Sequence, residues 1–579
     1  MYSTNSDASS PPMQSTREEA IVEQSLQEFA ALQTDRATFG SHWEEVAELI
    51  DPISRNTFFY GNYNWPGQKK TDRQIDATGM MALDRFAAIC NSLITPRNMI
   101  WHGLEADDDY LMKQRGVKLY FEQLNRCLFK YRYKAMANFS GQNACNFKNL
   151  GAYGTLGMFI DELDEFYGRG LRYKSMPLGE LFIRQNHQGL TDGFCRWFKL
   201  TARQCAQKWG EASLPAQLKS AYDAQSELLY DFLHRVVPRD DYDPARIDAR
   251  GKKFGSYYIC LTARKLMSEG GYRRFPAAIG RYLQGPQETY GRSPAMAVLP
   301  ALKTLNAEKR MFLKAGHREA DPVLLTADDG ITSFDLRPGA LNKGGITADG
   351  KLLVGTLPTG RIQISKEMMD EERSLINDSF LVTLFQILTE TPTMTATEVI
   401  ERTAEKGILI APSMTRLQDE YCAAMVPREI DILEDLRLAP PRPQVMREAM
   451  GDAQVVYTNP LARAQTAQEA AGFMRTIDSV KELVGITQDP SLLDPFNFDV
   501  AIPAIAEIQA VPPSWMSSDE EIAAKRKSRA QAQAKDQALK ALPNQAAMVK
   551  AQAVAQKAGM GQQQGAQIGQ QQPDMGMAQ

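Results

Sequence analysis

Two long helical patterns bracket a stretch that cannot be helical, and this alternation limits the possible folds more than anything else in the chain. The first pattern is "YGRSPAMAVLPALKTLNAEKRMFLKAG", Tyr290 to Gly316. Ser293 suits an N-cap, Pro294 fits the first helical position where its missing N–H does no harm, and Gly316 suits a stop. Pro300 should kink this helix. From His317 to Gly360 glycine, proline and aspartate dominate, which predicts short strands and turns. The second helix, "SKEMMDEERSLINDSFLVTLFQIL", is expected to start at the cap Ser365, with Glu367 in its first turn. Two long helices thus flank a compact β-rich insertion.

The 579 residues are far more than one average domain, so several packed layers or modules around a sizeable core are expected. From Arg17 to Ile50 the apolar residues recur at helical spacing, and two amphipathic helices separated near Gly40 are expected. "DPISRNTFFYGNYNWPGQKK" reads as an ordered loop. Thr71 with Gln74 makes a capping-box signal for a helix ending at Thr95-Pro96. Its face of Ile75, Gly79, Ala82, Phe86, Ile89 and Leu93 calls for close packing inside a domain or against a neighbouring subunit. Beyond Met99 the pattern is α+β. Strands are expected at "NMIWHGL", at Leu181 to Asn186 and at Ser256 to Ala263, and helices at Val117 to Tyr133 and Pro215 to Val236. Thr395 with Glu398 predicts a helix stopping at Gly407, Ser413 starts the next, and "LAPPRPQ" is a stiff connector. After Trp515 the chain is rich in Ala, Gln and Lys, and from Gly559 it becomes a Gln/Gly tract too poor in apolar residues to fold alone.

Charge and motifs exclude several functions. Sixty-six basic against 70 acidic side chains give a formal charge of −4, so any contact with nucleic acid has to be local. No apolar run approaches the roughly 20 residues of a membrane span, and the N-terminus lacks the basic start and apolar stretch of a secretory signal. The seven cysteines form no C-x-x-C pair, and the five histidines show no metal-ligand spacing. "GITADGKL", Gly345 to Leu352, imitates a phosphate loop but lacks the Ser or Thr that would hold magnesium and the helix that would receive phosphate. Ser293 in "GRSPA" is a cap rather than a nucleophile, and "DELDEF" at Asp161 to Phe166 reads as a solvated acidic turn rather than a magnesium site. No catalytic residue, metal or cofactor is expected, which opposes an ATPase or nuclease. A scaffolding or other structural protein stays open as an alternative.

Several segments in order resemble one family. "HWEEVAELIDPISR", "DATGMMALDRFAAICNSLITPRNMIW", "ETYGRSPAMAVLPALKTLNAEKR", "RLQDEYCAAMVPREIDIL", "VVYTNPLARAQ" and "VPPSWMSSDEE" are similar to the head-to-tail connecting, or portal, proteins of short-tailed podovirus-like bacteriophages, from about Trp43 to Glu521. The resemblance implies a mainly helical α+β portal fold with wing, two-helix stem, β-rich clip, tunnel loop and crown, assembled as a homo-oligomeric, dodecameric ring. It assigns residues 1–16 to a flexible arm, 17–290 to the wing, 291–316 and 365–390 to the stem, and 317–364 to the clip. Residues 391–440 then hold the tunnel loop and following helices, 441–515 the wing and crown, and 516–579 a partly disordered tail. The implied partners are double-stranded DNA bound without sequence specificity, the terminase large subunit, a tail adaptor, and the major capsid and scaffolding proteins. The implied place is a capsid vertex at the head–tail junction of the virion, after synthesis in the host cytoplasm. On that frame Lys303, Lys309, Arg310, Lys314, Lys366 and Arg373 are the candidates to meet DNA in the channel. Thr391, Pro392, Thr393 and Met394 are the tunnel-loop candidates.

Overall fold

The computed structural model describes residues 13–59, 67–112, 114–326, 335, 337, 340–341, 346–347, 349–357, 362–383, 414–448, 453–457, 472–483, 495–508, 515–517, 520–535, 550 and 552–554. They fall in two units, 1–510 and 511–579. In the second, residues 520–535 are helical and almost wholly exposed, and the tract from Gly559 lies outside the described residues.

The first unit is built on a five-stranded antiparallel meander, ordered Leu181–Gln185, Thr191–Thr201, Leu229–Pro238, Phe254–Cys260 and Lys265–Tyr272. Both faces are covered. Cys195, Trp197, Leu233 and Ile259 pack under Val22 and Phe29 of the N-terminal helix. On the other face Phe198, Phe232 and Cys260 pack under Cys205, Leu214 and Leu218, from the helices Ala202–Trp209 and Ala216–Asp223 and the turn between them. This alternation corrects the expectation of a helix from Pro215 to Val236. The helix stops at Asp223, and in Leu229–Pro238 side chains of period two serve both faces.

A three-stranded sheet, Leu171–Ser175, Thr155–Glu162 and Ala277–Arg281, sits in the main core with the helices Thr78–Ile94, Arg115–Arg132 and Phe139–Tyr153. Distant parts of the chain return to it. Ala453–Tyr457 pairs antiparallel with His102–Ala106, and Ala423–Asp435 places Glu429 against Arg132. That ion pair is wholly buried, with Arg132 Nε donating to Glu429 Oε1 at 3.2 Å and Tyr173 Oη donating to the same oxygen at 2.7 Å. Arg132 Nη1 lies 2.8 Å from His102 Nε2. A guanidinium only donates, so Nε2 accepts and the histidine is the neutral tautomer.

Two further boundaries are corrected. Met13–Leu49 is one helix of 37 residues rather than two, because Gly40 sits inside it and leaves room for the Phe59 ring, 3.4 Å from where a Cβ would stand. The helix expected from Thr71 starts at Thr78. Thr71 closes a turn with Gln74 N–H instead, Ile75 N–H is held by Asn306 Oδ1, and Asp76 Oδ1 accepts from Thr78 N–H. Five of the seven cysteines are buried and all are free.

Candidate channel hairpin

The predicted helix–insertion–helix hairpin is present. Ser293 Oγ accepts from Met296 N–H at 3.0 Å and donates to Ala152 O at 2.8 Å, capping a single turn, Pro294–Ala297. Pro300 then lies in the first turn of a separate helix, Leu299–Ala320, so the chain breaks at Val298 instead of kinking. Gly316 does not stop this helix: it keeps a helical backbone, and the helix runs on to Ala320. The returning helix is Ile362–Ser379, so Ser365 is inside it rather than at its cap, and it ends before Phe380 and Leu381, the latter at φ 61°. Val382 and Thr383 of the expected helix follow that break, and residues 384–388 lie outside the described residues. Between the helices Leu324–Thr326 pairs antiparallel with Val354–Thr356, and Ile346 bridges Leu352 around a turn with Gly350 at φ 77°. A turn and strand therefore stand where a phosphate loop would need a helix.

The base of the hairpin is locked into the body. Leu299, Leu302 and Leu305 are buried, as are Met369, Ile376 and Phe380 on the return. The Leu302 side chain comes so close to the Thr78–Ile94 helix that a Cβ on Gly79 would stand 2.8 Å from its Cδ2. The small-residue stripe thus serves packing within the chain. The opposite faces of the two helices are left in water: Met311 is 74% exposed, Leu313 45%, Met368 51% and Leu375 53%. These exposed apolar positions were missed in the sequence, because they fall off the helix face marked by the leucines.

The six basic candidates divide. Lys303 Nζ meets Glu45 Oε2 at 2.6 Å, both side chains 54% exposed, and holds that carboxyl below its usual range. Such a pair contributes about 0.2–1 kcal/mol. Arg373 is bound to Asp76 at 2.9 Å and Asp370 at 2.8 Å. Burial would raise the Asp76 carboxyl, but hydrogen bonds from Arg373 and Thr78 outweigh it and leave it below the usual range. Glu45, Asp76 and Asp370 are thus the counter-ions of these two cations. Arg310, Lys314 and Lys366 are exposed and Lys309 is half-buried, with no carboxylate within 4 Å of any of the four among the described residues. The two helices differ in sign: Leu299–Ala320 carries five Lys or Arg against two Glu, and Ile362–Ser379 two against five acidic residues. Thr391, Pro392, Thr393 and Met394 lie outside the described residues.

Residues 22–516 match the family described as bacteriophage head to tail connecting protein. The chain belongs to that family. Among its relatives, the probable portal protein of Bordetella phage BPP-1 is 28% identical over 534 residues, 90% of this chain and 93% of that one. The portal protein of Salmonella phage epsilon15 is 25% identical over 530 residues, 89% and 92% of the two chains. A solved chain described as the neck of a native gene transfer agent particle, computed with C12 symmetry, covers 69% of this chain and 85% of its own length at 12% identity and a TM-score of 0.34. The function of this head-to-tail connecting protein is that of a portal at a phage capsid vertex, and its described residues combine helices with antiparallel sheets in an α+β fold. Among the described residues no group of His, Cys, Asp or Glu is placed to hold a metal ion, and no helix is long and apolar enough to cross a membrane.

Proposed function

We propose that copies of this chain close into a dodecameric ring around an axial channel, and that the helices Leu299–Ala320 and Ile362–Ser379 form the stem through which double-stranded DNA is packaged and later ejected. The observation that carries this reading is the hairpin: anchored by Leu302 and Ile376 at its base, it leaves Met311, Leu313, Met368 and Leu375 uncovered by its own chain. Copies packed side by side cover such residues, and a heterologous contact that closes on itself makes a ring.

In that ring the residues between the two helices form the clip, where an ATP-driven terminase docks during packaging and a tail adaptor afterwards. The body from Arg17 to Tyr290 forms the wing, against capsid and scaffolding proteins. The chain has no catalytic task of its own in this scheme and is made in the host cytoplasm before it enters the virion. The free cations Lys309, Arg310 and Lys314 on the basic helix, with Lys366, meet phosphate without reading bases, while Lys303 and Arg373 hold the hairpin on the body. Few free cations and an overall negative charge keep DNA sliding, because each phosphate contact adds a salt-dependent increment of affinity. Changing Lys309, Arg310, Lys314 and Lys366 together to Gln should leave rings intact and alter packaging or retention of DNA; unchanged packaging and retention would remove these residues from the channel.

A further inference from the structure

Away from the hairpin, the two sheets of the body diverge around a cleft of about 580 Å³. Its lining joins the apolar Phe159, Phe198, Leu200 and Tyr258 to the bases Arg172, Lys174, Arg196 and Lys208 and the acids Asp161, Glu162 and Asp164. Arg196 is already engaged, with Nε and Nη2 donating to Glu180 Oε2 at 2.9 and 2.8 Å. Lys208 Nζ lies 3.7 Å from the centre of the Tyr258 ring and 6.0 Å from that of Phe198. An aromatic face attracts an ammonium but does not neutralise it. Among the described residues no carboxylate lies within 4 Å of Lys174 or Lys208; Asp161, the acid closest in influence on Lys208, is shared with Arg428 at 3.8 Å. Both lysine side chains are accessible, yet protein crowds them, as expected for groups that face into a cleft rather than outward. Burial lowers the proton affinity of Lys174, with Arg196 adding to it. Lys208 is held down to about 8 by burial first, against the opposing pull of Asp161.

Although acids share the cleft, neither Lys174 nor Lys208 has a carboxylate within 4 Å among the described residues, and two such ammonium groups beside an aromatic wall suit an anion. We propose that this cleft is a binding site for a small, singly headed anion, a carboxylate or monophosphate carried on a flat apolar body. The anionic head sits between Lys174 and Lys208, and the body lies against Phe159, Phe198 and Tyr258. The volume falls within the range of small-ligand pockets. Glu162 and Asp164 at its edge repel an extended polyanion, so the site discriminates against a nucleic-acid backbone.

The test is calorimetric titration of the full chain with phenyl phosphate, benzoate, inorganic phosphate and the neutral benzamide. The expected result is binding of phenyl phosphate or benzoate, the stronger of the two identifying the head group, with inorganic phosphate weaker and benzamide silent. The variant Lys174→Gln with Lys208→Gln should lose about tenfold or more in affinity, the weight of a charge-assisted hydrogen bond, with its unliganded melting temperature unchanged. Should the double variant melt early, Lys208→Gln alone carries the same expectation. No heat from either aromatic anion at about 10 mM, beyond which a site is too weak to matter, or undiminished binding by the lysine variants, overturns the proposal.

Discussion

The body and the hairpin of this portal protein are stabilised by opposite means. In the body, two sheets and their helices bury Trp43, Trp101, Phe86 and Tyr421 completely, and even the charges are enclosed, as in the Arg132–Glu429 pair. In the hairpin, the outgoing helix has no fully buried residue beyond Leu305, and the exposed pair Lys303–Glu45 contributes little. Single apolar side chains such as Ile53 and Phe166 are exposed on the body too, but there they lie over a large core; the hairpin helices, with methionine and leucine in water, are the part that the proposed ring would cover. Perturbations should therefore act on folding in the body and on association in the hairpin.

The largest effect is expected from Arg132→Met. It strands Glu429 without water, so chemical denaturation should show a loss of about 3–5 kcal/mol, much of it recovered when Glu429→Leu is added. Only a small loss in the single variant would mean that the core reaches water.

Next comes pH. Burial above all, then Arg132 beside His102 and Lys208 near His234, holds both imidazoles well below the ordinary value of 6.5. Below that value the unfolded chain takes up protons that the native state refuses, so stability falls as pH drops. The slope from each histidine is up to about 1.4 kcal/mol per pH unit. Replacing His234 by Phe should flatten the slope between about pH 6.5 and 5 in a pH series of thermal melts.

Gly79→Ala tests the seam between the regions. Its new methyl meets Leu302 Cδ2 at 2.8 Å and Ile50 Cγ1 at 3.3 Å, and should cost about 1–3 kcal/mol as an overpacked contact. If the loss is near zero, the hairpin base is looser than its burial indicates.

Much of this contrast was legible in the sequence and some was not. Ser293, Pro294 and the Gly- and Pro-rich insertion announced the hairpin because capping and turn chemistry are local. Thr71 misled for the same reason: its side chain suits a cap, but the packing of Asn306 on Ile75 delays the helix to Thr78. Leu229–Pro238 was hidden because a short apolar run buried on both faces has no period that separates strand from helix. Asp370 is a local partner of Arg373, but Glu45 for Lys303 and Asp76 for Arg373 were illegible, being more than 200 residues away in the chain.

The smallest effect on folding belongs to the hairpin surface. Met311→Ser with Leu313→Ser should change the stability of the isolated chain by no more than about 0.5 kcal/mol, yet weaken assembly as seen by mass photometry. A large loss of folding stability would show that these side chains serve the protomer.

In the proposed ring the hairpin lines the channel, and electron cryomicroscopy of the purified full chain decides whether it does. A closed ring is expected, with Leu299–Ala320 and Ile362–Ser379 of every copy around the axis and Arg310, Lys314 or Lys366 facing the opening. A ring whose hairpins point outward, or a protein that remains monomeric at every concentration, would contradict it.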